Sequence, residues 1–220
     1  MDVKVSSLLD LTKTIASALF DGIEYPWQVL DLIKDFTIKL GQTLPADEYE
    51  CSGENVWIAK DAVVYPTVSI TGPCIIDHGA EIRQCAFIRG SAIVGKNAVV
   101  GNSTELKNVV LFDNVQVPHY NYVGDSVLGY KAHMGAGSIT SNVKSDKTLV
   151  VVKNGDEKYE TMRKKFGAIL GDNVEVGCNS VLNPGTVIGR GASIYPLSSV
   201  RGTVPPGCIY KSADNIVERR

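Results

Sequence analysis

A six-residue periodicity runs through most of the chain and limits the folds that it can adopt. Every sixth residue is large and apolar at ten consecutive positions: Ile58, Val64, Ile70, Ile76, Ile82, Ile88, Val94, Val100, Leu106 and Phe112. Four residues after each of these, between Ala62 and Gln116, nearly every residue is small or β-branched. Both columns resume from Leu170 to Val204. A period of six fits neither an α-helix with 3.6 residues per turn nor a strand with two alternating faces.

The period is typical of a solenoid in which each hexad forms one flat side and a turn. Three sides close a triangular coil, and successive coils stack about 4.8 Å apart as parallel strands. Each coil buries its apolar centre only against its neighbours, so several coils are needed. A narrow aliphatic interior explains why only 7% of the residues are aromatic, and tight corners explain the 21 glycines. The repeat shortens to five residues near Pro118 and again at 123–127.

The beginning of the chain has a different pattern. Apolar residues recur at helical spacing over 8–19, behind Ser6 or Ser7 as a cap. Pro26 fits the first turn of a second helix that Gly41 would end. We therefore predict an N-terminal helical hairpin, which either caps the solenoid or mediates assembly.

The hexads are interrupted over residues 140–169. Strand-like segments flank Asn154-Gly155, which predicts a β-hairpin. An excursion of this length is usually functional or disordered. This one either packs on the solenoid or covers a substrate or a neighbouring chain. The predicted organisation is a helical arm over 1–50, a mainly β parallel β-helix over 51–211 with the inserted loop 140–169, and a C-terminal tail over 212–220.

Composition excludes several classes of protein. The chain is 44% hydrophobic and 21% charged, which is ordinary for a globular protein. Its net charge of −2 gives no electrostatic footprint for nucleic acid. No apolar run approaches the roughly 18 residues of a membrane helix, and the start lacks a signal-peptide pattern. The five cysteines include no CxxC pair, so we expect a reducing, cytoplasmic setting.

Two basic residues, Arg89 and Lys107, are separated by three hexads and each follows a large apolar position. They should therefore lie on the same face of adjacent coils, about 5 Å apart. Two cations at that distance repel unless an anion lies between them. The sequence offers Glu105 as one partner, and a bound phosphate is the other.

Residues 87–142 and 168–194 resemble the acetyltransferase half of bifunctional N-acetylglucosamine-1-phosphate uridyltransferases, a hexapeptide-repeat family. The resemblance covers about half of the chain. It depends on R-x-G from Arg89, E-x-K from Glu105, H-x-x-Y-x-G-D from His119 and GAGSITSN at 135–142. It implies the left-handed winding of the β-helix and a homotrimer with active sites between neighbouring solenoids.

The resemblance also implies a role for individual residues. His119 falls on the general base, and Arg89 and Lys107 fall on the cations that hold a sugar phosphate. The remaining positions implied are the substrate contacts Glu105, Tyr122 and Asn142 and the acetyl-CoA contacts Ala136, Cys178 and Lys211.

The implied chemistry is coherent. An amine must lose a proton as it attacks a thioester, and imidazole, with a pKa near ~6.5, can accept it at neutral pH. A backbone N–H within 135–137 could stabilise the oxyanion. The sequence departs from the family at Val143, where a tyrosine is expected, and at Gly167, where a lysine is expected; Lys164 and Lys165 could replace that lysine.

We therefore expect a CoA-dependent N-acetyltransferase that acts on an amino-sugar phosphate such as glucosamine 1-phosphate, without a metal. Two alternatives stay open. One is a non-catalytic subunit that assists a separate nucleotidyltransferase, with a structural His119. The other is an O-acyltransferase of the same fold. A γ-class carbonic anhydrase would need two histidines close in sequence, whereas His78, His119 and His133 are far apart.

Overall fold

Residues 1–219 are described by a computed structural model, in which a left-handed parallel β-helix carries a helical arm along its side. Three flat sides make up each coil. The first side contains β2 (Val56–Ala59), β5 (Cys74–Ile76), β8 (Ala92–Val94), β17 (Ala168–Leu170), β20 (Thr186–Ile188) and β23 (Thr203–Val204). The second contains β3 (Val63–Val64), β6 (Glu81–Ile82), β9 (Val99–Asn102), β11 (Gln116–His119), β13 (His133–Met134), β18 (Glu175–Val176), β21 (Ser193–Ile194) and β24 (Cys208–Ser212).

The third side contains β4 (Ser69–Ile70), β7 (Phe87–Ile88), β14 (Ile139–Thr140), β19 (Val181–Leu182) and β22 (Ser199–Val200). Two longer strands, β10 (Glu105–Leu111) and β12 (Tyr122–Leu128), bend round a corner and belong to both the third and the first side. Parallel pairing between coils holds the three sides together.

The interior is the aliphatic column that the hexads predict. Ile76 pairs in register with Val94 on the first side, and Ile82 pairs with Val100 on the second. All four side chains are fully buried. Burying one such side chain contributes roughly 1.5–3 kcal/mol, so the stacked column is a main source of stability.

The position of the first short repeat differs from the prediction. Val94 pairs with Leu111 rather than with Phe112, so one residue is missing between Leu106 and Leu111 and not near Pro118. Phe112 is thereby moved out of the column, and its ring packs edge-on against Phe20 of the arm, 5.8 Å between centroids. A large aromatic ring suits this outer contact better than the narrow interior. The second short step, between Val123 and Leu128, lies where the sequence indicates.

The arm is less regular than a helical hairpin. The predicted first helix is wrong: α1 (Val5–Leu8) has one turn, begins after Lys4 without a serine cap, and is followed by 3-10 turns at Leu11–Lys13 and Ser17–Phe20. The reason is tertiary. The backbone N–H of Asp10 donates to the Asp172 carboxylate at 2.8 Å, and the Leu8 carbonyl accepts from the Asp172 N–H at 3.0 Å, so this backbone is bonded to the solenoid instead of to itself.

The second helical segment follows the prediction more closely. A 3-10 turn at Pro26–Asp31 leads into α2 (Ile33–Gly41), which ends at the predicted glycine. Gly41 also serves packing, since a Cβ there would lie 2.2 Å from the Trp57 ring.

The inserted loop contains the predicted hairpin, formed by β15 (Val150–Asn154) and β16 (Glu157–Arg163) with Asn154 opposite Glu157. At the other end of the chain, the segment assigned to a tail includes β25 (Asn215–Glu218), which pairs antiparallel with β24. The five cysteines are free. Among residues 1–219, no helix has both the length and the apolarity needed to cross a membrane.

Candidate active site

Three of the predicted site residues form a column along one corner of the solenoid. The Gly137 N–H donates to the His119 carbonyl at 3.0 Å, and the Asn179 N–H donates to the Ala136 carbonyl at 2.9 Å. His119, Ala136 and Cys178 therefore occupy the same position in three successive coils, with about 4.8 Å between coils. The predicted base and two predicted acetyl-CoA contacts follow one line parallel to the solenoid axis.

Lys211 lies further along the same direction. The Leu197 N–H donates to the Cys178 carbonyl, and the Tyr195 N–H donates to the Tyr210 carbonyl, each at 2.9 Å. Lys211 is thus two coils beyond Cys178. Its ammonium group lies 5.7 Å from the centroid of the Tyr195 ring, a cation–π contact. The line from His119 ends in a positive charge.

The backbone around His119 is held firmly while its ring is exposed. The His119 N–H donates to the side-chain oxygen of Asn121 at 3.1 Å, and the buried Asn121 amide donates to the carbonyls of Gly135 and Ser138. Tyr120 turns the corner with a φ of 52°, a value that is rare outside glycine. Among residues 1–219, the imidazole makes no hydrogen bond, so both of its nitrogens are accessible to a ligand.

The predicted cations lie at the other end of the third side. The Arg89 N–H donates to the Leu106 carbonyl at 2.8 Å, which stacks Arg89 directly beside Lys107, as their spacing predicts. Arg89 forms an ion pair with Glu105 at 2.7 Å. Lys107 instead forms its ion pair with Asp125, at 3.0 Å.

Asp125 contacts two predicted site residues, but the sequence analysis did not assign it to the site. Its carboxylate is buried and accepts hydrogen bonds from Lys107, from Asn108 at 2.9 Å and from Asn142 at 2.6 Å. The signal was present, because this aspartate ends the H-x-x-Y-x-G-D motif. Through Asp125, one side chain fixes the positions of a predicted cation and a predicted sugar contact.

Tyr122 completes this network. Its hydroxyl accepts a hydrogen bond from Asn142 at 3.2 Å. Burial, with the nearby Asp125 charge in addition, raises the pKa of the Tyr122 phenol, which keeps it protonated and able to donate. The ring lies over Gly124, where a Cβ would be 2.5 Å from the Tyr122 oxygen. The glycine of the motif is therefore required for this position of the tyrosine.

A cavity of about 450 Å³ opens beside the two cations. The arm and the residues after β16 complete its walls. Its basic lining residues are Lys34, Arg89, Lys107, Arg163, Lys164 and Lys165, and its acidic ones are Asp31 and Asp125. Arg163 forms an ion pair with Asp31, which joins the insertion to the arm. A larger cavity of about 920 Å³ lies at the first coil and contains none of the predicted site residues.

The structure explains why Gly167 cannot be the lysine that the resemblance leads one to expect. A Cβ at Gly167 would lie 2.2 Å from the Gly124 carbonyl oxygen and 2.4 Å from the Ser126 hydroxyl. Lys164 and Lys165 precede it in the chain and line the cavity. The predicted residues thus form two groups, at His119 and at the cavity, separated by one side of a coil, roughly 10 Å at ~3.3 Å per residue.

No group of three or more His, Cys, Asp or Glu side chains within residues 1–219 is arranged to hold a metal ion. The His78 imidazole contacts two carboxylates, Asp61 at 2.9 Å and Glu48 at 3.2 Å. These contacts attach residues 45–50 to the solenoid.

Comparison with known proteins identifies the family. Residues 70–190, just over half of the chain, match the family described as the GMPPB C-terminal domain. The chain belongs to this family. The match begins in the first coil and includes the His119 column up to Cys178 and the Arg89–Lys107 pair.

Curated relatives extend the similarity. A bifunctional protein GlmU from Methanococcus maripaludis is 35% identical over 193 residues, covering 80% of this chain and 43% of the relative. A bifunctional sugar-1-phosphate nucleotidylyltransferase/acetyltransferase from Sulfurisphaera tokodaii is 32% identical over 192 residues, covering 84% and 47%. The chain therefore spans about half the length of these relatives.

Solved structures with a similar chain course include a GDP-perosamine N-acetyl transferase from Caulobacter crescentus, at 17% identity and a TM-score of 0.32. The similarity covers 73% of this chain and 54% of the transferase chain.

Proposed function

We propose that this chain is a CoA-dependent N-acetyltransferase that acts on an amino-sugar phosphate. The observation that carries the proposal is the His119–Ala136–Cys178 column at one end of the third side, with a cavity lined with cations at the other end. The column offers a general base and a surface along which a thioester can bind. The cavity offers cations that can bind a phosphate. The similarity to the bifunctional sugar-1-phosphate nucleotidylyltransferase/acetyltransferase of Sulfurisphaera tokodaii supports the same activity.

In the proposed reaction, Arg89 and Lys107 bind the phosphate of the acceptor. Glu105, Tyr122 and Asn142 contact its sugar ring. The amine attacks the thioester carbonyl of acetyl-CoA and His119 accepts its proton. The C–N bond forms, the C–S bond breaks, and the CoA sulfur leaves with a proton, giving the N-acetyl sugar phosphate and CoA.

The oxyanion donor can be narrowed to one atom. The Gly135 N–H donates to Val176 and the Gly137 N–H donates to His119, so both are already engaged. Within the described part of the chain, the Ala136 N–H has no protein acceptor. We assign the stabilisation of the oxyanion to this N–H, which lies in the same column as His119.

We also propose that acetyl-CoA runs along the column from Ala136 past Cys178, with Lys211 at its phosphate end. A homotrimer would complete the site. Tyr120 and Leu197, which are 62% and 79% exposed, turn the same corner as the column with positive φ values. A neighbouring chain would cover these apolar side chains and close the site against water.

The test compares His119→Ala with His133→Ala. His133 is a second partly exposed histidine, bonded to Glu175. With acetyl-CoA and glucosamine 1-phosphate, we expect His119→Ala to lower kcat by roughly 10²–10⁴-fold, the usual contribution of a general base. His133→Ala should stay close to the unmutated protein.

An unmutated protein that transfers no acetyl group to any of several amino-sugar phosphates would contradict the proposal. It would favour a non-catalytic subunit, which a pull-down with a sugar-phosphate nucleotidyltransferase would then examine. Transfer to a hydroxyl, recognised because an ester product is released by mild alkali and an amide is not, would identify an O-acyltransferase instead.

A further inference from the structure

The cations around the cavity fall into two groups with different surroundings. Arg89 and Lys107 belong to the solenoid, and each is paired with a carboxylate, Glu105 and Asp125. Lys34 belongs to α2, and Lys164 and Lys165 follow the insertion hairpin. Their three ammonium groups form no hydrogen bond or ion pair with any residue in 1–219, although all of them line the cavity.

The balance of charge at the cavity contrasts with that of the whole chain. Six basic side chains and two carboxylates line it, whereas the net charge of the protein is −2. Like charges that share one cavity repel, and this repulsion is relieved only by an anion or by solvent. The Asp31 carboxylate is such an anion: it reaches from the arm to the largely buried Arg163. Arg163, which directly precedes Lys164 and Lys165, therefore already holds a carboxylate at this wall of the cavity.

The two groups stand on different walls of the cavity. Arg89 and Lys107 stand on the third side of the solenoid, while Lys34 and Lys164–Lys165 stand on the arm and the insertion. A single phosphate bound by Arg89 and Lys107 would leave the ammonium groups on the arm and the insertion without an anionic partner. A second phosphate, covalently linked to the first, would contact these three ammonium groups.

We infer that the acceptor is an amino sugar linked to a diphosphate, with one phosphate at Arg89 and Lys107 and the other at Lys34, Lys164 and Lys165. This inference rests on the proposed function and names the class of its substrate. It assigns a binding role to the arm and the insertion, which lie on the solenoid surface next to the site. Lysine is suited to this role, because its ammonium group binds phosphate as a mobile point charge.

The test measures binding of inorganic pyrophosphate and inorganic phosphate to the whole chain by calorimetry, in buffer free of divalent metal and at one ionic strength. We expect pyrophosphate to bind about tenfold more tightly than phosphate. The double variant Lys164→Gln/Lys165→Gln should lose this preference while still binding phosphate. Lys34→Gln, on a different element, should reduce the preference in the same direction.

A matched control is available in the same insertion. Lys153 and Lys158 face each other across the hairpin and lie outside this cavity, so Lys153→Gln/Lys158→Gln makes the same change in charge and should keep the preference. Equal binding of the two anions by the unmutated chain would overturn the inference. A control variant that loses the preference as fully as the cavity variant would overturn it too. Acetyl transfer is measured separately, so an active enzyme without the preference rejects only this inference.

Discussion

At the scale of single residues, the atoms that surround a position decide whether it can hold the residue expected from the family. Arg89 and Lys107 could be placed from the sequence, since residues three hexads apart stack in a solenoid. The burial of Asp125 could not, because Gly-Asp in isolation is typical of an exposed turn. Its burial depends on β12 bending round the corner, where Asn108 and Asn142 from the neighbouring coils bond its carboxylate.

Gly167 gives the clearest prediction at this scale. Restoring the lysine of the family, Gly167→Lys, should destabilise the protein by roughly 1–3 kcal/mol, since its Cβ would overlap the Gly124 carbonyl and force the backbone to move. The free energy of unfolding is measured by urea denaturation for this variant and for a control variant. The control is Gly53→Lys, where the nearest atom to a Cβ is 3.7 Å away, and its stability should be nearly unchanged. A Gly167→Lys protein as stable as the control would contradict this account.

At the scale of elements, the sequence is informative where the pattern is long and misleading where it is short. Many successive hexads define the coils, so nearly every strand of the solenoid could be predicted. The first arm segment has apolar residues at helical spacing. Two of them, Leu8 and Leu19, are buried, but they belong to two separate short helical turns and not to one helix. The hydrogen bonds of Asp172 with the Asp10 N–H and the Leu8 carbonyl decide that outcome, and no local pattern reveals them.

The arm and the insertion are joined by an aromatic cluster, which the sequence did not indicate. Trp27 is buried, stacks on Tyr25 with 4.9 Å between ring centroids, and lies 6.0 Å from both Tyr159 and Phe166. Contacts of this kind contribute beyond the area they bury. The two elements that wall the cavity are therefore expected to be ordered together.

Trp27→Ala tests this coupling. The substitution should cost roughly 3–5 kcal/mol of stability, as is usual for a buried tryptophan, and it should raise amide hydrogen exchange in the hairpin 150–163 as well as in the arm. Phe87→Ala serves as the control, since Phe87 is 38% exposed on the solenoid surface, and it should leave exchange in the hairpin unchanged. Unaltered protection of the hairpin in Trp27→Ala would show that the insertion is ordered without the arm.

At the scale of the whole molecule, antiparallel strands terminate part of each end of the solenoid. The strand β1 (Tyr49–Gly53) pairs antiparallel with β2 at the first coil, and β25 pairs antiparallel with β24 at the last. Such strands limit the open edges through which solenoids would otherwise aggregate. End-to-end stacking of solenoids is therefore disfavoured. Two chains can still associate through their lateral corners, where the His119 column lies.

Leu197 provides the test of lateral association. In light scattering, we expect the unmutated chain to have the mass of three copies. Leu197→Glu places a charge on the apolar corner beside the His119 column. Because the core of an interface excludes unpaired charge, we expect this variant to have the mass of one copy. We expect it to lose acetyl transfer at the same time. Val63→Glu is the matched control: Val63 is 51% exposed in the first coil, away from the column, and this variant should stay trimeric and active. A monomeric unmutated chain, or a monomeric Leu197→Glu variant with full activity, would show that one solenoid holds a complete site.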